Sequence, residues 1–250
     1  MDNNMQDFLA VWNKNLILAS QVFLGVGIVI LLYHLVKLIS IKDFKSKYDY
    51  INQKEIKVLW LGILAFIIAG ALFANTWFER SEPIWFFVRI FITISMSIIV
   101  GVIFSNSLKF YYPFYIEKRL KKLRYTPRKS PKTGKPMKLL SEDEEDVYLD
   151  EGMQAEENVF SVDYDVWVDE ETGYTKIEKY AGHLHALQCP ECNYQTYKVV
   201  REEIIKSPTL AEEGELDKHY KCIYCGHKGK KTFKIAQLKE SDEPTELAAS

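Results

Sequence analysis

Four cysteines are the only residues in this chain whose spacing points to a defined chemistry. Cys189-Pro-Glu-Cys192 is followed by Asn193, and Cys222-Ile-Tyr-Cys225 by Gly226. Two residues between cysteines let both thiolates face one ion, and the position after the pair favours Asn or Gly, which tolerate positive φ. The pairs are separated by 29 residues, room for a hairpin and a returning strand. Four thiolates in this pattern suit a closed tetrahedral zinc site with a structural role, so one Zn²⁺ is expected on Cys189, Cys192, Cys222 and Cys225. Iron on the same four sulfurs is the alternative metal, and a redox-active dithiol the alternative chemistry. His183, His185, His219 and His227 flank the cysteines and are expected at the surface or behind the ligands.

Something must carry these cysteines, and the composition is split. Of 32 Lys+Arg and 34 Asp+Glu, residues 109–250 hold 23 and 27, a net charge of -4. Residues 16–108 are mostly apolar. Three runs, Leu16–Ile39, Val58–Phe78 and Ile84–Leu108, each reach the roughly 20 residues that cross about 30 Å of hydrocarbon. Backbone groups in lipid must be paired within a segment, so helices are predicted. Residues 1–15 are polar and lack the basic start of a signal peptide.

Lys42, Lys45, Lys47, Lys54 and Lys57 lie between the first two runs, and only Arg80 between the second and third. Lys118, Arg119, Lys121, Lys122 and Arg124 follow the third. By the positive-inside rule the first loop and the C-terminal part are cytoplasmic, with residues 1–15 outside a bacterial inner membrane. Arg89, near the outer end of the third run, is expected to reach the headgroups, and the basic residues after the third run to sit at the inner interface. Residues 109–135 could include a helix lying on that leaflet. The acidic run Glu142–Asp146 reads as a solvated loop or as a partner of the basic stretch, and residues 239–250 as a disordered tail.

Residues 125–182 repeat the turn frame without cysteines. Ser130-Pro-Lys-Thr133-Gly134 and Asp169-Glu-Glu-Thr172-Gly173 keep the glycines and place Ser130, Thr133, Asp169 and Thr172 where ligands would stand. A tandem ribbon is inferred, its first copy (125–182) degenerate and its second (183–238) metal-binding. Strands are predicted at Val159–Val168, Thr175–Tyr180, Thr196–Arg201 and Lys231–Ile235, with Asp163 and Asp165 sharing one exposed face.

Val147–Glu157 (VYLDEGMQAEE), Ser161–Trp167 (SVDYDVW) and the run Cys189–Thr196 follow one another in an order that resembles the C-terminal zinc-ribbon region of bacterial TPM-domain membrane proteins. The resemblance covers roughly residues 125–235. It implies tandem ribbons, and the substitution of the first cysteine set is a departure from the family pattern. The TPM domain itself is absent, so its activity is not carried over.

The fold class expected is three transmembrane helices plus a small β-rich tandem zinc ribbon. No nucleophile–base pair, phosphate loop or open metal position stands out. The function expected is non-catalytic: an adaptor or accessory subunit of a membrane protein assembly, with the lipid bilayer and a protein as partners and no small-molecule substrate. A redox-active or metal-sensing protein, a tethered nucleic-acid-binding protein and a transporter or channel subunit are the alternatives. The net charge of the soluble part argues against nucleic acid.

Overall fold

A computed structural model describes residues 2–77 and 83–238 and divides them into two units, which meet in the chain between Thr126 and Pro127. Arg80, the end of the second run at Phe78 and the tail 239–250 lie outside the described residues.

The first unit is helical. Helix α1 (Asp2–Ser40) is joined by a tight turn to α2 (Phe44–Tyr50), which runs through a π turn (Ile51–Glu55) into α3 (Ile56–Ala74). Helix α4 (Pro83–Asn106) likewise passes through a π turn (Ser107–Tyr111) into α5 (Tyr112–Tyr125). Among the described residues three helical stretches are long and apolar enough to cross a membrane: Met5–Ser40, Phe44–Trp77 and Ile84–Tyr125. Each extends beyond the apolar run that marks it. The N-terminal residues and the lysine-rich first loop, expected as connecting segments, are helical. The α1–α3 contact is close because Gly27 admits the ring of Phe66 and Gly62 admits Leu31.

Two polar clusters sit inside this unit. At the N-terminal end of α1, Trp12 Nε1 donates to Asn75 Oδ1 (3.3 Å) and Asn75 Nδ2 to Thr93 Oγ1 (3.1 Å). Arg89, expected to reach the headgroups, has a polar partner within the helical unit. It is 4 % exposed, donates to Asn13 Oδ1 at 3.2 Å and lies against the Phe86 ring. A cation between helices is covered by neighbouring side chains where a lipid-facing one would snorkel.

At the other end, α5 does not stand alone on a surface. Ile116 packs against Tyr50 and Ile51 with Leu38, Leu120 and Leu123 around them. Glu55, 1 % exposed, accepts from Tyr112 Oη (2.5 Å) and Arg119 Nη1 (2.7 Å). Arg119, expected at the membrane interface, is therefore the counter-charge of a buried acid. Lys118, Lys121 and Lys122 are exposed and Arg124 half-buried. Beside this cluster His34 Nδ1 lies 3.0 Å from Tyr50 Oη. Removing one partner of a buried ion pair leaves an uncompensated charge. Arg119→Ala should cost about 3 kcal/mol, read as a lower thermal unfolding midpoint in detergent, with Glu55→Gln restoring part of the loss in the double variant.

The second unit holds two three-stranded antiparallel sheets. Strands β1 (Lys138–Leu139), β2 (Val162–Val168) and β3 (Thr175–Ala181) form the first, in that order. Strands β4 (Tyr197–Lys206), β5 (Gly214–Cys222) and β6 (Lys228–Ile235) form the second. The predicted strand at Val159 begins three residues later, because Val159–Ser161 end a helix and turn at Phe160 with φ 57°. Strand β5 and the second half of β4 were not predicted.

The acidic run is ordered, not a loop. Ser141 and Glu144 form a capping box that starts α6 (Glu142–Glu145), and α7 (Glu151–Asn158) follows with Asp150 as its N-cap. One face of β2, with Val162, Tyr164, Val166 and Val168, packs on Leu149 and makes the core. The opposite face, expected to be exposed, is covered as well. Asp165 is 5 % and Trp167 1 % exposed, and Arg128 stacks on the Trp167 ring (4.7 Å) while chelating Glu178 at 2.6 and 3.0 Å.

The free edge of β2 is closed by side chains. Val166 N–H donates to Glu145 Oε2 (3.2 Å) and Tyr164 N–H to Glu157 Oε1 (2.9 Å), so two carboxylates replace a neighbouring strand. Glu142 joins them in one acidic group, and burial, then the charges of Glu157, Glu142 and Asp165, push Glu145 up to about 7. A carboxyl whose folded pKa is raised contributes most below its unfolded value and loses that contribution as pH rises to 7. Glu145→Gln keeps the acceptor for Val166 and removes the charge. Its unfolding midpoint should exceed the parent's at pH 8, with the difference shrinking toward pH 4.5.

Candidate metal centre

Four turns in the second unit share one backbone frame. In each, the first residue's N–H donates to the carbonyl five residues on, and the fifth residue's N–H returns to the first carbonyl. The distances are 2.8 and 2.9 Å at Ser130, 2.8 and 2.8 Å at Asp169, 2.9 and 2.9 Å at Cys189, and 2.8 and 3.2 Å at Cys222. The fifth residue is left-handed in every case: Gly134 (φ 71°), Gly173 (67°), Asn193 (64°) and Gly226 (76°). The glycines and the asparagine are there because the returning N–H can be aimed only from that conformation.

The second pair of turns gathers Cys189, Cys192, Cys222 and Cys225 into one group. Cys189 Sγ is 3.7 Å from Cys225 Sγ, and Cys192 Sγ 3.7 Å from Cys222 Sγ. Sulfurs on a tetrahedral ion at about 2.3 Å stand about 3.8 Å apart, whereas disulfide sulfurs stand near 2.05 Å. The four cysteines could thus hold a metal ion. Cys189 and Cys222 are fully buried, Cys192 half-buried and Cys225 exposed. Thr196 Oγ1 lies 3.0 Å from Cys222 Sγ, and Cys225 N–H donates to the same sulfur at 3.3 Å. Burial opposes ionisation of Cys222, yet these hydrogen bonds and the other cysteines carry it down to about 6.

The histidines are not in the sulfur group. His183 and His185 are exposed, His219 lies on β5 near Glu203 (3.6 Å), and His227 meets the cysteines through its backbone, accepting from Cys222 N–H and bonding Cys225, with its ring near Tyr197.

The first pair of turns brings Ser130, Thr133, Asp169 and Thr172 together in the corresponding way. Their chemistry is different. The hydroxyls of Ser130 (2.6 Å), Thr172 (2.8 Å) and Thr133 (3.0 Å) all donate to one oxygen, Asp169 Oδ2. Oδ1 accepts from Glu171 N–H at 3.1 Å, and Ser130 Oγ accepts from Lys132 N–H at 3.1 Å. A carboxylate oxygen is the point on which the two turns close. The Ser130 hydroxyl first, then Thr172, the Glu171 N–H and Thr133, hold Asp169 down at about 2. The stabilisation is present above the ordinary Asp value and is lost as pH falls through about 2.

The two halves are fastened together between these sites. Tyr194 ends the first cysteine turn, and its hydroxyl donates to Asp150 (3.1 Å) at the start of α7. Its ring lies on Gly152, where any side chain would collide with it. The next residue, Gln195, donates its N–H to Glu156 Oε1 (2.6 Å) and accepts from the Ser161 hydroxyl (2.5 Å). Glu156, 0 % exposed, also receives Lys179 Nζ (2.9 Å) and the Tyr164 hydroxyl. These contacts give physical roles to Gly152, Glu156, Glu157 and Ser161, which the sequence offers only as a pattern.

No family model matches the chain, and no curated protein or solved structure matches it.

If the backbone frame alone sets the geometry, replacing the Asp169 cluster by thiols should create a second site. The variant Ser130→Cys, Thr133→Cys, Asp169→Cys, Thr172→Cys should carry one more metal ion per chain than the parent, measured by elemental analysis of the purified protein. An unchanged content would show that the first pair of turns cannot close on an ion.

Proposed function

We propose that the chain is a non-catalytic, membrane-anchored zinc-ribbon protein whose C-terminal domain serves as an adaptor or accessory subunit of an inner-membrane protein assembly. The observation that carries this reading is the pairing of a four-cysteine group with a cysteine-free copy of the same turns. All four corners of the tetrahedron come from the protein, which leaves no position for a water or substrate. In the other copy a hydrogen-bonded carboxylate does the mechanical part of a metal's work. A centre that can be exchanged for a carboxylate and three hydroxyls is one whose purpose is to hold turns.

The three long apolar helices support the anchor, and the lysines of the first loop and of α5 favour a cytoplasmic C-terminal domain. The resemblance to the ribbon region of TPM-domain membrane proteins supports tandem ribbons and a bacterial inner membrane. Zinc is preferred to iron because a closed structural site needs no redox change. The protein partner is expected to meet a rigid surface, since hydrogen bonds from Tyr194, Gln195 and Ser161 join the two halves.

Metal analysis and thiol alkylation on the full chain, purified in detergent, test the reading. One zinc per chain and thiols that react only after chelation are expected. A metal-free protein with readily alkylated cysteines would replace this reading with a redox one. Affinity purification of the membrane complex at native expression should retain a protein partner, and variants that remove the cysteines should lose it.

A further inference from the structure

The register of the sheet β4–β5–β6 sorts its charges unevenly. Cross-strand partners project to the same side. Lys198 pairs with Lys221, which pairs with Lys228, so three ammonium groups lie abreast across all three strands. At a strand spacing of about 4.8 Å the row spans about 10 Å. The next row on this face is Arg201, His219 and Lys230, and the one after it Glu203, Asp217 and Thr232.

Like charges directly opposite one another weaken a ladder. Elsewhere on the face the cost is offset: Lys230 bonds Asp217 (2.5 Å), Arg201 bonds Glu203 (2.5 Å), and Lys206 bonds Glu212 (2.5 Å). The lysine row has no such relief. Lys198 Nζ reaches only the Val159 carbonyl (3.0 Å), and neither Lys221 nor Lys228, both exposed, has an acid within ion-pair distance among the described residues. The aromatic residues of the sheet, Tyr197, Tyr220 and Phe233, alternate onto the other face. A surface of closely spaced ammonium groups without rings can neutralise phosphates but cannot stack bases.

We propose that this face, centred on Lys198, Lys221 and Lys228, docks on the anionic phospholipid headgroups of a bilayer. Charge complementarity chooses a phosphate-bearing surface, and the lack of a stacking platform disfavours single-stranded nucleic acid. The proposal rests on the membrane-anchor reading, because a chain held by membrane spans meets the headgroups at high effective concentration.

The full chain would be reconstituted into nanodiscs of phosphatidylcholine alone and of phosphatidylcholine with phosphatidylglycerol, and lysine acylation followed by mass spectrometry. In anionic discs Lys221 and Lys228 should be acylated several-fold more slowly than in neutral discs, and high salt should abolish the difference. In the Lys228→Glu variant the protection of Lys221 should fall while metal content stays at the parent's value. Equal acylation in the two discs overturns the proposal and leaves the anchor standing. Loss of metal in Lys228→Glu overturns it by assigning the row to the cysteine site. Stronger protection by polyuridylate in neutral discs than by phosphatidylglycerol overturns it in favour of nucleic acid. A chain that enters neither disc overturns the anchor and this proposal together.

Discussion

Glu156 has no contact with water, and its two oxygens are shared among Lys179, Tyr164 and the backbone of Gln195. An unpartnered carboxylate at that depth would be strongly destabilising. The position is tolerable only when α7, β2, β3 and the cysteine turn are all in place. Helix α7 carries the acid and the other three elements each contribute one donor, so the acid ties the four together. Tyr194 on Gly152 and Ser161 on Gln195 close the same seam on either side. The first half of the domain cannot be complete without the second.

The four turns add a second constraint. Their hydrogen bonds are made by the backbone, so side chains are free to vary provided the last residue can be left-handed and something joins the paired turns. Sulfur and hydroxyl occupy equivalent places and close the gap differently. Four sulfurs need an external ion to offset their charge and hold them at about 3.8 Å. Three hydroxyls and a carboxylate bring their own charge and their own donors. The two solutions differ in what they require from outside the chain and agree in the backbone they produce.

Much of this could be read from the sequence where the determinant was local. Apolar length marks the spans, and Gly134, Gly173, Asn193 and Gly226 mark the turns, because each depends on residues a few positions apart. The cysteine spacing belongs to the same class. What could not be read depended on distant residues. Glu55 is one acid among lysines until α5 brings Tyr112 and Arg119 to it from more than fifty residues away. Asp165 looks exposed by strand alternation, yet Arg128 and Trp167 roof that face. Strand β5, Gly214–Cys222, is mostly charged or polar, and it is a strand because β4 and β6 pair with it on both sides. Arg89 shows the same limit: its place in the third run was legible, whereas its bond to Asn13, 76 residues away, was not.

The Asp169 cluster changes what the domain has to fear. Thiols can be oxidised, and an ion can be taken by a chelator or run short in a starved cell. A hydroxyl–carboxylate cluster offers nothing to either process. Two of the four matching turns are thus closed in a form indifferent to metal supply and to oxidants, and strong acid alone reaches them. Damage at the cysteine end would release Tyr194 and Gln195 from their seats while leaving the Ser130 and Asp169 turns shut. The domain would then open from the cysteine end, with the turns at Ser130 and Asp169 the last to part.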